Sequence, residues 1–383
     1  RDLMEDLLPN PLQTLEIPQV SDAEANVAIT DVRYLGSYNY VVNDEWLDMI
    51  VPGIPPVWTP PTLPVTVQSV RDGVFHDYVM TKLPDYPTLP LFAAVDCMQE
   101  ASSEPNLQWS SIDFITDRNN LLKLAGWADP GCLSPNHRDF RIDLQLVGWQ
   151  TILFQRWEEQ LVRPAGGFSE TFERASCRSA LNVGYPVRPG ATRIISYDYS
   201  GLKLVVQFDL DAHDDTDSST SSDASADGID ALSHRLSSLA VTGRTPSKHS
   251  PSLTIVHKGS EVPQSSLVKI KTRSVNTAKG FPRVMEYLQL FFGQTPTLYL
   301  GIHHDGTFHD IRRYTLESLE PKFAARVKPG LQKLRRILEV IRDLAIERGQ
   351  EARLSLVCED GVLKLMERHR SKSLLPDAVL ARF

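Results

Sequence analysis

Four polar side chains near the ends of two strand-like segments carry the chemistry open to this sequence. Asp209 and Asp211 close segment 193–211, and Lys269 and Lys271 lie within segment 266–274. Residues two apart on a strand point to the same face, so each pair presents like groups together. Paired carboxylates are hard oxygen donors for a divalent cation, which polarises a phosphate and turns a bound water into a nucleophile. A lysine beside such an ion stabilises the charge that develops in the transition state. Glu173, in segment 168–177 that reads as the start of a helix, supplies a third carboxylate. The chemistry within reach is metal-assisted hydrolysis of a phosphodiester, with Glu173, Asp209 and Asp211 as metal ligands and Mg2+ or Mn2+ as the ion.

The layout resembles metal nucleases of the PD-(D/E)XK type, in which two carboxylates on one strand face an acid-x-Lys pair on the next. Lys269 stands where that pair has its acid. A required anion becomes a cation, a change of two charge units beside the expected ion. At an effective dielectric of about 20, one unit charge 4 Å away is worth roughly 4 kcal/mol. Lys269 is therefore expected to bridge Asp209 or Asp211 and to fill the metal position with its own ammonium.

Composition leaves this reading open. The 383 residues carry 42% apolar and 23% charged side chains, enough for a core in a globular protein. The net charge of −8 is concentrated: Asp214, Asp215, Asp217, Asp223, Asp227 and Asp230 have no Lys or Arg among them. The remainder is close to neutral, so a polyanionic partner is not excluded. No stretch approaches the length of a membrane span, and no apolar leader opens the chain. The four cysteines are far apart, without a C-x-x-C pair, and read as buried fillers in a reducing compartment, nucleus or cytoplasm. P-loop, nucleophile-elbow, zincin and dinucleotide-binding signatures are absent. His303 and His304 point to opposite strand faces and read as ordinary residues.

The elements that must hold these groups follow from local pattern. Residues 1–26 are acidic and turn-rich and read as a flexible arm, and 27–383 as one domain. Six prolines between 52 and 64 force an extended crossing. Asp117 or Thr116 caps a helix through Leu121, Leu122 and Leu124, with Arg118 at its start. Segments 140–146 and 151–157 read as a hairpin, as do 354–358 and 362–366 around Glu359-Asp-Gly361. A Ser/Asp-rich insertion at about 214–252 is expected to be disordered, with a short helix at 229–240. Apolar residues at Leu331, Leu334, Leu338, Ile341 and Ala345 predict a helix over 330–348. The fold class is α+β, mixed sheets flanked by helices around a PD-(D/E)XK-like core.

In the same order, these motifs resemble the DXO (Dom3Z) family of RNA 5′-end decapping and exonuclease proteins, in the divergent form of many fungal genomes. The resemblance covers roughly residues 28–370. Phe114-Ile-Thr-Asp-Arg118 is similar to the segment whose Arg contacts RNA, and Thr171-Phe172-Glu173 to the end of the G-Y-K-F-E motif. Phe208-Asp-Leu-Asp211 is similar to the E-x-D strand, with Asp209 for Glu, and Val268-Lys-Ile-Lys-Thr272 to the E-L-K-T strand. Gln289 matches a substrate-contacting Gln. The resemblance implies that Arg118 and Gln289 guide RNA, with Arg273 on the basic side, and that Lys271 assists at the ion.

The expected function is that of a DXO-like RNA 5′-end-binding protein with a degenerate metal-nuclease site, its activity lost or strongly reduced. The alternative is an active metal-dependent decapping enzyme and 5′–3′ exoribonuclease. Expected partners are an RNA 5′ end and a protein such as a 5′–3′ exonuclease, with neither a membrane nor DNA indicated. A purely protein-binding role would use the Pro-rich strip or the acidic insertion.

Overall fold

The structure, a computed structural model, describes residues 2–21, 26–41, 47–76, 82–83, 85–103, 105–130, 139–159, 162–181, 187, 190–215, 244–248, 250–369 and 372–383. Among these residues the strands form a twelve-stranded sheet, a seven-stranded sheet and a two-stranded ribbon.

The larger sheet is built from the expected hairpins. Phe140–Val147 pairs antiparallel with Thr151–Arg156, and Leu354–Glu359 with Val362–Glu367. The second turn works because Asp360 and Gly361 both take positive φ, 50° and 79°, as a two-residue hairpin turn requires. At the sheet's centre lie Phe114–Asp117, Leu202–Leu210, Ala191–Tyr199 and Ile29–Val41 in that order. Their apolar residues alternate between two cores. Phe114, Ile195, Leu204 and Val206 face one, while Ile115, Ile194 and Val205 face the other. The first core is closed by helices Arg118–Ala128, Val284–Gly293 and Leu316–Arg348, the second by helix Leu89–Ala101. Each large apolar side chain buried this way contributes about 1.5–3 kcal/mol.

Burial on both faces explains a departure from simple alternation. Every residue of Phe140–Val147 is buried, polar ones included. Arg141 therefore pairs with Asp143 at 2.6 Å, Ser355 donates to Asp143 at 2.6 Å, and the Leu374 amide donates to Gln145 at 2.8 Å.

Three other expectations are modified. Within 1–26, Gln13–Leu15 pairs with Val362–Glu367 and Leu15 is only 5% exposed, so this stretch is tied to the sheet edge rather than loose. The long helix runs Leu316–Arg348, starting 14 residues before the predicted 330–348, with Pro321 and Pro329 inside it and a Thr315 cap accepting from the Ser318 amide. The insertion and its short helix lie outside the described residues between 216 and 243, whereas Arg244–Ser247 and Ser250–His257 are strands at the sheet edge. The Pro-rich crossing contributes Val57–Trp58 to the smaller sheet. No described helix is long and apolar enough to cross a membrane.

The candidate metal-nuclease cleft

The two strands singled out by their charges belong to different sheets, and one step of the chain joins them. Leu202–Leu210 ends in the larger sheet, and Ala212–His213 enters the smaller one beside Leu267–Ser274, with Ala212 opposite Val268 and His213 opposite Leu267. Asp211 lies between these two segments. Lys269 Nζ is 2.6 Å from its Oδ1, and the Ile270 amide donates to its Oδ2 at 2.7 Å. Both side chains are only 12% exposed. Asp209 remains on the larger sheet, exposed, where Thr192 donates to its Oδ1 at 3.1 Å. Thr192 is its cross-strand neighbour in the hairpin turned at Ser200 and Gly201. That turn was the sequence signal by which Thr192 could have been found.

Glu173 arrives on the short helix Ser169–Ala175. Phe172 anchors the helix: it is fully buried and stacks on Phe308 at 4.0 Å. The approach needs Gly301, because a Cβ there would lie 2.7 Å from the Phe172 ring. The next residue, Glu173, is thereby presented to the cleft. Burial, and then the Asp211 carboxylate, push its carboxyl up to about 7, against the pull of Lys269 and Lys271. Glu173, Asp209, Asp211 and Lys269 line one cleft of about 410 Å3, together with Tyr38, Tyr40 and Cys177, which sequence reasoning did not single out.

The remaining predicted residues do not line this cleft. Arg118 is 7% exposed and starts a helix whose cap, as expected, is Asp117, accepting from the Asn120 amide. Its guanidinium stacks over Phe208 at 5.1 Å and reaches the carbonyls of Gln289 and Asp209 only at 3.5 and 3.4 Å. Arg118 Nε and Gln289 Oε1 are buried and find no hydrogen-bond partner among the described residues. Burial, followed by Lys269, lowers the Lys271 ammonium to about 8, although Asp211 opposes the shift. Arg273 is committed to Glu286 at 3.3 Å and stacks over Phe281. His303 is buried between Phe168 and Phe308, with its Nδ1 accepting from the Gly306 amide at 3.3 Å, the ordinary role read for it.

The donor set fits a divalent ion poorly. A hard cation needs several free carboxylate oxygens converging on one point. Here both oxygens of Asp211 are engaged, one by an ammonium, and burial holds Glu173 partly protonated at neutral pH. Among the described residues no three His, Cys, Asp or Glu side chains gather closely enough to hold a metal.

The family model described as a domain of unknown function, DUF8563, matches residues 12–383, and the chain belongs to that family. No curated protein sequence matches it. Its fold is similar to S. pombe Rai1 in complex with 3′-FADP, at 13% identity and a TM-score of 0.56 over 92% of this chain and 97% of that one. It is similar to K. lactis Dxo1 in complex with manganese, at 9% identity and 0.53 over 94% and 96%. Candida albicans Rai1 in complex with pU5-Mn2+ gives 10% identity and 0.53 over 97% and 98%. The chain thus has the fold of the Rai1 and Dxo1 structures, as the motif order implied. Identities this low fit a divergent branch.

Proposed function

We propose that this DUF8563 protein binds RNA 5′ ends without a metal ion, as a DXO-fold protein whose nuclease chemistry is lost or strongly reduced. The reading rests on one contact, Lys269 Nζ on Asp211 Oδ1 at 2.6 Å. A divalent ion would bring two positive charges, open coordination positions and an acidified water. An ammonium brings one charge and three donors, and can neither bind nor activate a water in that way. The charge compensation is kept while the hydrolytic agent is removed.

Binding draws support from a neighbouring set of cations. Lys271 has no ion pair among the described residues, and Arg118 has an uncommitted Nε. Lys271, half-buried, is the one of the two placed to reach a backbone phosphate, because Arg118 Nε and Gln289 Oε1 are both buried. The relatives with nucleotides or pU5 bound make an RNA end the natural ligand class.

The test is to incubate purified protein with 5′-monophosphorylated and capped RNA, with and without Mn2+, at low salt. Binding without turnover, unchanged by Mn2+, is expected. Turnover that Asp211→Ala abolishes would establish the active enzyme instead. Absence of RNA affinity would leave only a protein-binding role.

A further inference from the structure

Away from the cleft, the larger sheet ends in the short strand Arg244–Ser247, which pairs with Ser250–His257 and is the last strand described on that side. It carries most of the run Arg244-Thr-Pro-Ser-Lys248. We infer that Thr245 is a phosphorylation site for a proline-directed protein kinase, with ATP as the phosphoryl donor.

The sequence separates this hydroxyl from its competitors. A Ser or Thr precedes proline at five places, Thr59, Ser134, Thr245, Ser250 and Thr295. Only after Thr245 does a Lys or Arg stand two residues beyond the proline. Proline has no N–H to satisfy. A kinase pocket without an acceptor at that position therefore admits proline and leaves the amide of any other residue unpaired. The Lys248 ammonium, a compact charge, then meets a carboxylate on the kinase.

Placement keeps the hydroxyl within reach. Thr245 and Lys248 are exposed, whereas Ser247 between them is 7% exposed and Thr295 only 1%. The strand is already extended, the shape in which a groove takes up a peptide segment through its backbone. It is four residues long, Pro246 gives its ladder no amide, and the register shifts between Pro246 and Ser247. An edge held by so few bonds opens locally at little cost.

The product finds donors already in place. His257 Nε2 lies 3.0 Å from Thr245 Oγ1, and His257 Nδ1 is 3.4 Å from Cys97 Sγ on helix Leu89–Ala101. Lys248 reaches the same helix at Glu100, in a pair more than half exposed on both sides. His257 can donate to the phosphate directly, and Lys248 can exchange Glu100 for it. In the transfer, Thr245 Oγ1 bonds to the γ-phosphorus of ATP while the bond from that phosphorus to the departing ADP oxygen breaks. The hydroxyl proton passes to the kinase's carboxylate base, and ADP leaves. None of these residues lines the cleft.

The experiment incubates the full chain with ATP and a purified proline-directed kinase, and locates the phosphate by fragmentation mass spectrometry. Phosphate is expected on Thr245. Thr245→Ala should remove it, and Thr245→Ser should keep it. Pro246→Ala should slow the modification by about tenfold or more, the penalty of one unpaired amide. Lys248→Ala should slow it less. No phosphate on Thr245, with or without phosphate on Thr59 or Ser250, would overturn the proposal. So would equal rates for the native chain and Pro246→Ala. Should Thr245→Ala disturb the strand, Thr245→Ser and Pro246→Ala still decide.

Discussion

Lys269 donates to one oxygen of Asp211 at 2.6 Å while the next residue along its strand, Ile270, donates its amide to the other at 2.7 Å. One strand thus supplies a donor to each oxygen of a carboxylate delivered by another part of the chain. A metal must break the first of these bonds and displace an ammonium to bind there.

Lys269→Glu should therefore create what the native cleft lacks. The Asp211 oxygen is freed, and a fourth acid joins Glu173, Asp209 and Asp211. The variant is expected to bind Mn2+, measured by calorimetry or by loss of the free-ion paramagnetic resonance signal, where the native chain binds none at that position. Without metal it should be less stable, because like charges crowd one site.

Asp211→Asn takes from an ammonium 12% exposed the carboxylate it is bonded to, leaving only the raised Glu173 carboxyl and Asp209 along the same cleft. Breaking a buried pair from one side costs roughly 3 kcal/mol, while replacing both partners costs much less. Urea denaturation of Asp211→Asn, Lys269→Met and the double variant should give a coupling energy. Simple additivity of the two single effects would contradict the pairing.

Glu173 gives a pH signature. Its folded carboxyl lies at about 7 against an ordinary 4.5. Between these values the folded protein holds a proton that the unfolded chain has released. Stability must then fall as pH rises from about 4.5 to about 7 and level off above. Glu173→Gln should flatten this decline, which urea titrations across that window can read directly.

Lys271 behaves in the opposite direction. Its ammonium is lowered to about 8 from 10.5, so the unfolded chain binds the extra proton between those values and stability rises with pH there. At neutral pH the charged side chain is a burden to the fold. Lys271→Met is expected to raise the denaturation midpoint and to weaken RNA binding at low salt. If it weakens folding and leaves binding unchanged, the phosphate role of Lys271 is wrong.

Much of this could be read from local sequence, and the failures have local causes. The hairpin at Asp360 and Gly361 was legible because its turn chemistry is specific. Asp117 as a cap was legible too, and so was the exchange of charge at Lys269. The first half of Leu316–Arg348 was hidden by Pro321 and Pro329, which read as breakers but are carried within a helix packed through Leu319, Phe323 and Val327. Arg118 read as the start of a helix and a guide for RNA, and no local pattern reveals that Phe208 and two distant carbonyls will enclose it. Arg273, read on the basic side, also pairs with Glu286, a partner no local spacing announces. Period-two reasoning put Asp209 and Asp211 on one face; both line the cleft, but the change of sheets between them had no local signal.

That change of sheets has a mechanical consequence. With Leu210 held by one ladder and Ala212 by another, Asp211 marks the step from sheet to sheet, and its contact with Lys269 fastens that step to the strand beside it. The core shared by Leu210 and Leu267 holds the two sheets together beneath it. A guest entering the cleft therefore meets a wall whose charged floor is tied to both sheets.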